Sequence, residues 1–336
     1  MCYNKRMKNT LARKIASAAA VSATLALCAC STPVTVLFDT ERPWRAKDET
    51  NGYERLDYAV SVYDVSAGTD AQNKIKIAEG ALLYTLDEGV EIRDNISYST
   101  VDMSFSVTYN DSAAEKDRGL TDKISSRTLF QTNSLDSCEM EKTVSLAPRA
   151  DTVNRSYTVS ADYFGEHTAK FLYTAIEDAT EQTLSIPRST YCDNEMMFYL
   201  ARATALADGA SPNFYMTNMF EAFASGKLEN YVMVASVNGI ASVDVGDWVK
   251  DLGVEAVTNE ESGETSYPVP CFETSIMPNV ERHGPPYYVF YSQNPLKQDG
   301  KEHKKVPVKI VFNEYSGSKL SKITEYVLRA CDFTKA

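Results

Sequence analysis

Histidine is scarce in this chain: His167, His283 and His303 are the only three in 336 residues. None stands at zinc-ligand spacing from another histidine or from a cysteine, which argues against metal catalysis. The sequence also lacks a G-x-S-x-G elbow, a phosphate-binding glycine loop and a dinucleotide fingerprint, so the local signatures of serine hydrolases, P-loop enzymes and dehydrogenases are missing. His283, inside Arg282-His283-Gly284-Pro285-Pro286, reads as a solvated turn histidine rather than a general base. Asp244 to Asp247 is too short for a twelve-residue calcium loop. On this reading there is no catalytic residue, no cofactor and no metal ligand to assign. One enzyme class stays open, the glycan hydrolases, because their paired carboxylates can be scattered along a sequence.

Long apolar runs are also missing. The longest, Ile15 to Leu27, is too short for an ordinary membrane span, and it follows a basic segment of Lys5, Arg6, Lys8, Arg13 and Lys14 that contains no acid. Basic zone, apolar zone and small-residue end are the three parts of a secretory signal. Starting at Met1 or at Met7 leaves that order intact. The run ends in Leu27-Cys28-Ala29-Cys30, which resembles the lipobox of bacterial lipoproteins, with an aliphatic residue at −3, a small residue at −1 and then the cysteine that takes the lipid. Cys28 would place Leu27 at −1, so Cys30 is the expected lipidation site. The expectation is a leader over residues 1–29 and a chain held by lipid on the outer side of a bacterial membrane, periplasmic or at the cell surface.

The leader takes its five basic residues with it. Of the 34 Lys+Arg, 29 would remain against 46 Asp+Glu, a net charge near −17. Such a balance repels nucleic acid and anionic headgroups, so nucleic acid is not an expected partner. Seven cysteines fall to four after Cys2, Cys28 and Cys30: Cys138, Cys192, Cys271 and Cys331. In an oxidising compartment four cysteines allow three pairings, and Cys271 with Cys331 is the pairing expected here, because both belong to the final sheet segment.

What is abundant is aromatic and alternating. Twenty tyrosines and thirteen phenylalanines suit β-structure with wet edges. Residues 30–52 mix prolines and charges around a short apolar piece and read as a tether; residues 53–336 read as a β-rich domain of one body or two halves, 53–185 and 186–336. Leu56, Tyr58, Val60 and Val62 alternate with Asp57, Ala59, Ser61 and Tyr63. Val101, Met103, Phe105, Val107 and Tyr109 alternate with Asp102, Ser104, Ser106 and Thr108. One dry face and one wet face mark antiparallel sheet, because parallel sheets are covered on both sides. Met103, Phe105 and Val107 are the candidate apolar face. Further strands are expected over 75–86 with a turn near Gly80, and over 143–147, 156–163, 169–176, 214–220, 228–237, 269–276, 287–291, 306–312 and 319–328. One short helix is expected near 193–205, capped at Asp193, with Met197, Leu200, Ala201 and Thr204 on its apolar face. Asn294 to Lys305 reads as a polar loop, and Pro307 as a strand start or edge.

The order of these features over 193–328 resembles a widespread family of bacterial envelope proteins of unknown function. The residues that carry the resemblance are the helix, Tyr231-Val232-Met233-Val234, Val269-Pro270-Cys271-Phe272-Glu273, Tyr287-Tyr288-Val289-Phe290-Tyr291-Ser292 and Lys305-Val306-Pro307-Val308-Lys309-Ile310. The resemblance implies a long antiparallel sheet curled around a helix, similar to the half-barrels of envelope lipoprotein carriers. It implies a non-enzymatic protein that binds an apolar or amphipathic ligand, or an envelope partner. The competing expectations are a glycan hydrolase with dispersed carboxylates and an adhesion or structural module.

Overall fold

The structure is a computed structural model that describes residues 52–65, 74–147, 156–165, 168–175, 179–186, 191–203, 213–217, 230–278, 287–316 and 318–334. Its first arm is an antiparallel meander of eight strands: β1 (Tyr53–Asp64), β2 (Ile75–Arg93), β3 (Ile96–Tyr109), β4 (Thr121–Gln131), β5 (Ser137–Ser145), β6 (Tyr157–Gly165), β7 (Thr168–Ala175) and β8 (Ala179–Ser185). A two-residue strand, β9 (Tyr191–Cys192), then leads through a 3-10 turn at Asn194–Met196 into the helix α1 (Met197–Ala203). The second arm holds β10 (Asn213–Thr217), β11 (Asn230–Asp244), the small hairpin β12 (Val257–Thr258) and β13 (Thr265–Ser266), β14 (Pro268–Pro278) and β15 (Tyr287–Ser292). It ends in a second small hairpin, β16 (Leu296–Gln298) and β17 (Lys301–His303), followed by β18 (Pro307–Ser316) and β19 (Lys319–Asp332).

The two arms make one fifteen-stranded sheet in the order β8-β7-β6-β5-β4-β3-β2-β1-β19-β18-β15-β14-β11-β10-β9. The last strand pairs with the first, from Arg55 opposite Asp332 to Asp64 opposite Lys322, and that ladder unites the two ends of the domain. Among the described residues all pairings are antiparallel except β9 with β10. The protein is therefore mainly β, built on one large antiparallel sheet with one short α-helix among the described residues, as the alternation predicts. No backbone ladder joins β8 to β9 among the described residues. The edges still approach: Tyr215 on β10 packs on the cluster of Val159, Ala161 and Phe171, and the Asn230 amide donates to the Ser185 carbonyl at 2.7 Å.

Curvature is measured by one contact. Phe105 on β3 and Tyr326 on β19 have β2 and β1 between them, yet their ring centroids are 6.2 Å apart. On a flat sheet three strand spacings would separate them by about 14 Å. The sheet therefore curls, with these side chains on its concave side. The core inside the curl joins Leu56, Leu86, Val101 and Phe130 of the first arm to Phe214, Ile276, Tyr291 and Ile310 of the second. The helix is sunk among them. Met196, Met197, Tyr199, Ala201 and Arg202 are all buried and Phe198 is half-buried, so burial extends beyond the one face the sequence pattern suggested; Thr204 lies outside the described residues.

Three expectations need correcting. The strand at 75–86 does not turn at Gly80; β2 runs straight through it to Arg93, and the turn is Asp94–Asn95, both with positive φ. Gly80 is there because a Cβ would lie 1.8 Å from the backbone carbonyl oxygen of Ser106. The segment 294–305 is not a loop lying on the surface but carries the β16–β17 hairpin, whose Leu296 and His303 are buried. Strands β4 and β8 were not anticipated. Pro307 does open β18.

Candidate functional site

Two groups of polar side chains fix the helix inside the sheet. At one end Arg202 donates through both terminal nitrogens to the Glu54 carboxylate, and Nδ1 of His303 lies 2.8 Å from Glu54 Oε1. All three are buried, and Arg202 also donates to the Lys304 carbonyl at 2.7 Å. Burial alone would raise the Glu54 carboxyl, but Arg202 and His303 outweigh it and hold it below the usual carboxylate value. An ionised Glu54 can only accept, so Nδ1 of His303 carries the proton and donates. A carboxylate-oriented imidazole is the arrangement of a general base, but the His303 ring is fully buried and stacks on Phe333 at 3.8 Å. No substrate reaches it in this conformation, and its role is to join β1, α1, β17 and the C-terminal segment.

The second group surrounds the start of the helix. Asp193 caps the Glu195 amide at 2.9 Å and accepts from the Tyr163 hydroxyl, while its own amide donates to Ser137 Oγ at 2.9 Å. Burial, then repulsion from Glu195, pushes the Asp193 carboxyl up to about 6. Glu195 accepts from Lys142 and, at 2.9 Å, from the Ser126 hydroxyl. Lys142 and Glu195 are each less than a tenth exposed, so the ion pair that joins β5 to the start of the helix is desolvated.

Half-buried apolar side chains gather beside that pair. Met103 and Phe105 of β3, Phe198 of the helix, and Tyr287 and Tyr326 of the second arm all pack on the core without being covered by it. Phe198 meets Tyr287 edge-on at 5.7 Å, and Tyr287 stacks on Phe312 at 4.9 Å. Tyr157 and Tyr173 of the first arm form another part-buried pair, 5.2 Å apart. Burial, then the Glu195 charge, raises the phenol of Tyr287; burial, then Tyr173 and Glu195, raises that of Tyr157 to about 12. Glu195 thus feels an aromatic from each arm. Of the predicted apolar face, Val107 is fully buried, whereas Met103 and Phe105 belong to this incompletely covered group.

A further concavity of about 360 Å³ lies along β2 to β5; its lining includes Asp102, Ser104, Ser125, Arg127 and Glu141, which alternate with the inward positions, and also Met103 and Ser126. Asp102, Arg127 and Glu141 are register partners on β3, β4 and β5. It brings two carboxylates into one groove, as a hydrolase with dispersed acids would require. Arg127 stands between them in the register and donates to Asp102 at 3.2 Å.

The expected Cys271–Cys331 bridge is absent. Cys138, Cys271 and Cys331 are free thiols, and β14 and β19 are separated by β15 and β18. Three strand spacings, about 14 Å, exceed the ~7 Å over which a disulfide can form. The two thiols also sit in different clusters, Cys271 with Val243, Val269 and Val308, Cys331 against the main core. Cys30, His167 and His283 lie outside the described residues, as do the leader and nearly all of the tether. Among the described residues no group of three His, Cys, Asp or Glu is placed to hold a metal, and no helix is long and apolar enough to cross a membrane.

No protein-family model matches the chain, and no curated protein matches it. Among solved structures it is similar to the crystal structure of a beta-barrel-like protein of a domain of unknown function from Brucella abortus, at 11% identity and a TM-score of 0.47, covering 84% of this chain and 98% of that one.

Proposed function

We propose that this chain is a lipid-anchored extracytoplasmic protein that binds an apolar or amphipathic ligand at the half-buried aromatic end of its concave face, without catalysing a reaction. The observation that carries the reading is the cluster of Met103, Phe105, Phe198, Tyr287 and Tyr326, which packs on the core while staying part-exposed and is drawn from both arms of the sheet and the helix. Apolar lining with a few convergent polar groups is the composition of a small-molecule site. Here the polar groups are Lys142 and Glu195, which suit a ligand with a polar head and an apolar body. The anchor is supported by Leu27-Cys28-Ala29-Cys30 after an apolar run. The reading is tested by mass spectrometry of organic extracts of the purified protein. An amphiphile recovered from the wild type and depleted in a Phe105→Ala, Tyr326→Ala variant supports it; equal recovery from both argues against this site. The anchor has its own test, since Cys30→Ser should leave the membrane fraction.

A further inference from the structure

Three of the seven exposed large apolar side chains among the described residues fall within seven positions of one hairpin: Val90 at 38% exposure, Ile92 at 73% and Ile96 at 40%. The hairpin is the end of β2 and the start of β3. The ladder between β1 and β2 stops where Tyr53 faces Asp87, so the part of β2 beyond Glu88 has no β1 partner. Five residues to Arg93 at ~3.3 Å each carry it up to about 16 Å past the end of β1. Val90 and Ile92 share one side of this ribbon. Ile96, opposite Arg93, is on the other. The tip therefore shows two exposed apolar side chains on one side and Ile96 beside the Arg93–Glu91 pair on the other, and this concentration of exposed apolar groups is a fit surface for an interface.

The position of Gly52 says what that interface is. Gly52 accepts from the Glu88 amide at 2.8 Å through its carbonyl, and its own amide donates to the Glu88 carboxylate at 2.9 Å. Because β1 and β2 are antiparallel, the chain preceding Gly52 joins the domain at the base of the hairpin, on the side toward which the tip projects. Only 22 positions separate Gly52 from Cys30.

We infer that the Val90–Ile96 tip is a wedge that docks on the bilayer surface to which Cys30 is anchored, so that the domain is held at two points in one orientation. The inference rests on reading Cys30 as the lipid site. The charges at the tip fit a zwitterionic surface rather than an anionic one. Arg93 is paired with Glu91 at 2.6 Å and with Glu139 at 3.3 Å, which leaves Asp94 of the turn in the headgroup layer and no net positive charge to attract acidic lipid. Docking of this kind follows from apolar area and is insensitive to salt.

The test holds the mature chain on phosphatidylcholine vesicles by a hexahistidine segment placed before Cys30→Ser and a nickel-chelating lipid, so that tethering does not depend on lipidation. Tryptophan is placed at the tip (Ile92→Trp) or at the other end of the same strand (Ile75→Trp), and emission is read as the difference from the parent, which carries Trp44 and Trp248. Seventeen residues of β2 separate the two probes by at most about 56 Å. The expected result is a blue shift for Ile92→Trp and loss of its emission to lipid brominated on the acyl chains, unchanged by salt, with Ile75→Trp unaffected. An unquenched Ile92→Trp on vesicle-bound protein overturns the inference, and so does equal quenching at both positions. Failure of the anchor shows elsewhere, as retention of Cys30→Ser in the cell membrane fraction.

Discussion

Arg202 and Glu54 are 148 positions apart in the chain, and they meet as a forked ion pair in which neither side chain is more than 1% exposed. The pair ties the helix α1 to the first strand, beside the β1–β19 ladder that joins the arms. Two charges removed from water stabilise a fold only while both are present, because each alone carries an uncompensated desolvation cost. Arg202→Met should therefore lower stability by about 3–5 kcal/mol. The double variant Glu54→Met, Arg202→Met should cost well under the sum of the two single variants. Urea unfolding of the four proteins measures the coupling, and additive losses would show the pair to be energetically idle.

Asp193 and Glu54 give opposite slopes with pH. Glu54 is held below its unfolded value, so its contribution is complete above about pH 4.5 and is lost as the pH falls. Asp193 is raised from 3.8 to about 6, so the folded state binds the extra proton between those values. Its contribution is greatest below pH 3.8 and declines as the pH rises to 6, a change of at most about 3 kcal/mol. Asp193→Asn keeps an acceptor for the Glu195 amide but cannot titrate. Relative to the wild type it should become progressively more stable from pH 4 to pH 7. A constant stability difference across that range would mean that the Asp193 carboxyl is not raised.

Much of this was written in local pattern, and some of what was missed had a local signal too. The alternation Leu56, Tyr58, Val60, Val62, extended back two residues, puts Glu54 on the dry face, and a carboxylate there announces a buried partner. Lys142 is marked in the same way between Met140 and Val144. The partners themselves were not legible, because Arg202 and His303 reach Glu54 only through the curl of the sheet. β4 was missed because its inward positions include Ser126 and Thr128, which break the apolar alternation, and β8 because most of it is exposed. Gly80 misled for a different reason. Glycine serves a turn or a close backbone approach, and only the neighbouring strand tells which.

Cys138, Cys271 and Cys331 should remain thiols even after purification in air. Burial pushes Cys138 and Cys271 up to about 12, so little thiolate is available in the native protein at neutral pH. Iodoacetamide should label both slowly while the protein is folded. In denaturant without reductant, Cys138, Cys271 and Cys331 should all be labelled, as read by peptide mass. Protection of Cys271 and Cys331 that only a reductant removes would contradict the strand order, since those two cannot meet across β15 and β18.

Phe105 distinguishes a ligand site from a solid core. Its ring reaches across two strands to Tyr326, yet it is only half-buried, so its removal opens little new cavity. Phe105→Ala should cost less than the ~3–5 kcal/mol of a fully enclosed phenylalanine. Phe130, which is fully buried against Tyr199, should show the larger loss when truncated and serves as the internal comparison. A ligand that binds the folded state adds stability as the logarithm of its concentration over its dissociation constant, and a variant with a damaged site forfeits that increment. With lysophosphatidylcholine below its micellar concentration as the probe, the wild type should gain thermal stability and Phe105→Ala should gain less, so the gap between them widens. For Phe130→Ala the gap should stay constant, because that ring faces the helix and not the open end. A Phe105→Ala gap that is the same with and without the amphiphile would remove this face from consideration as a ligand site and leave a structural module as the better reading.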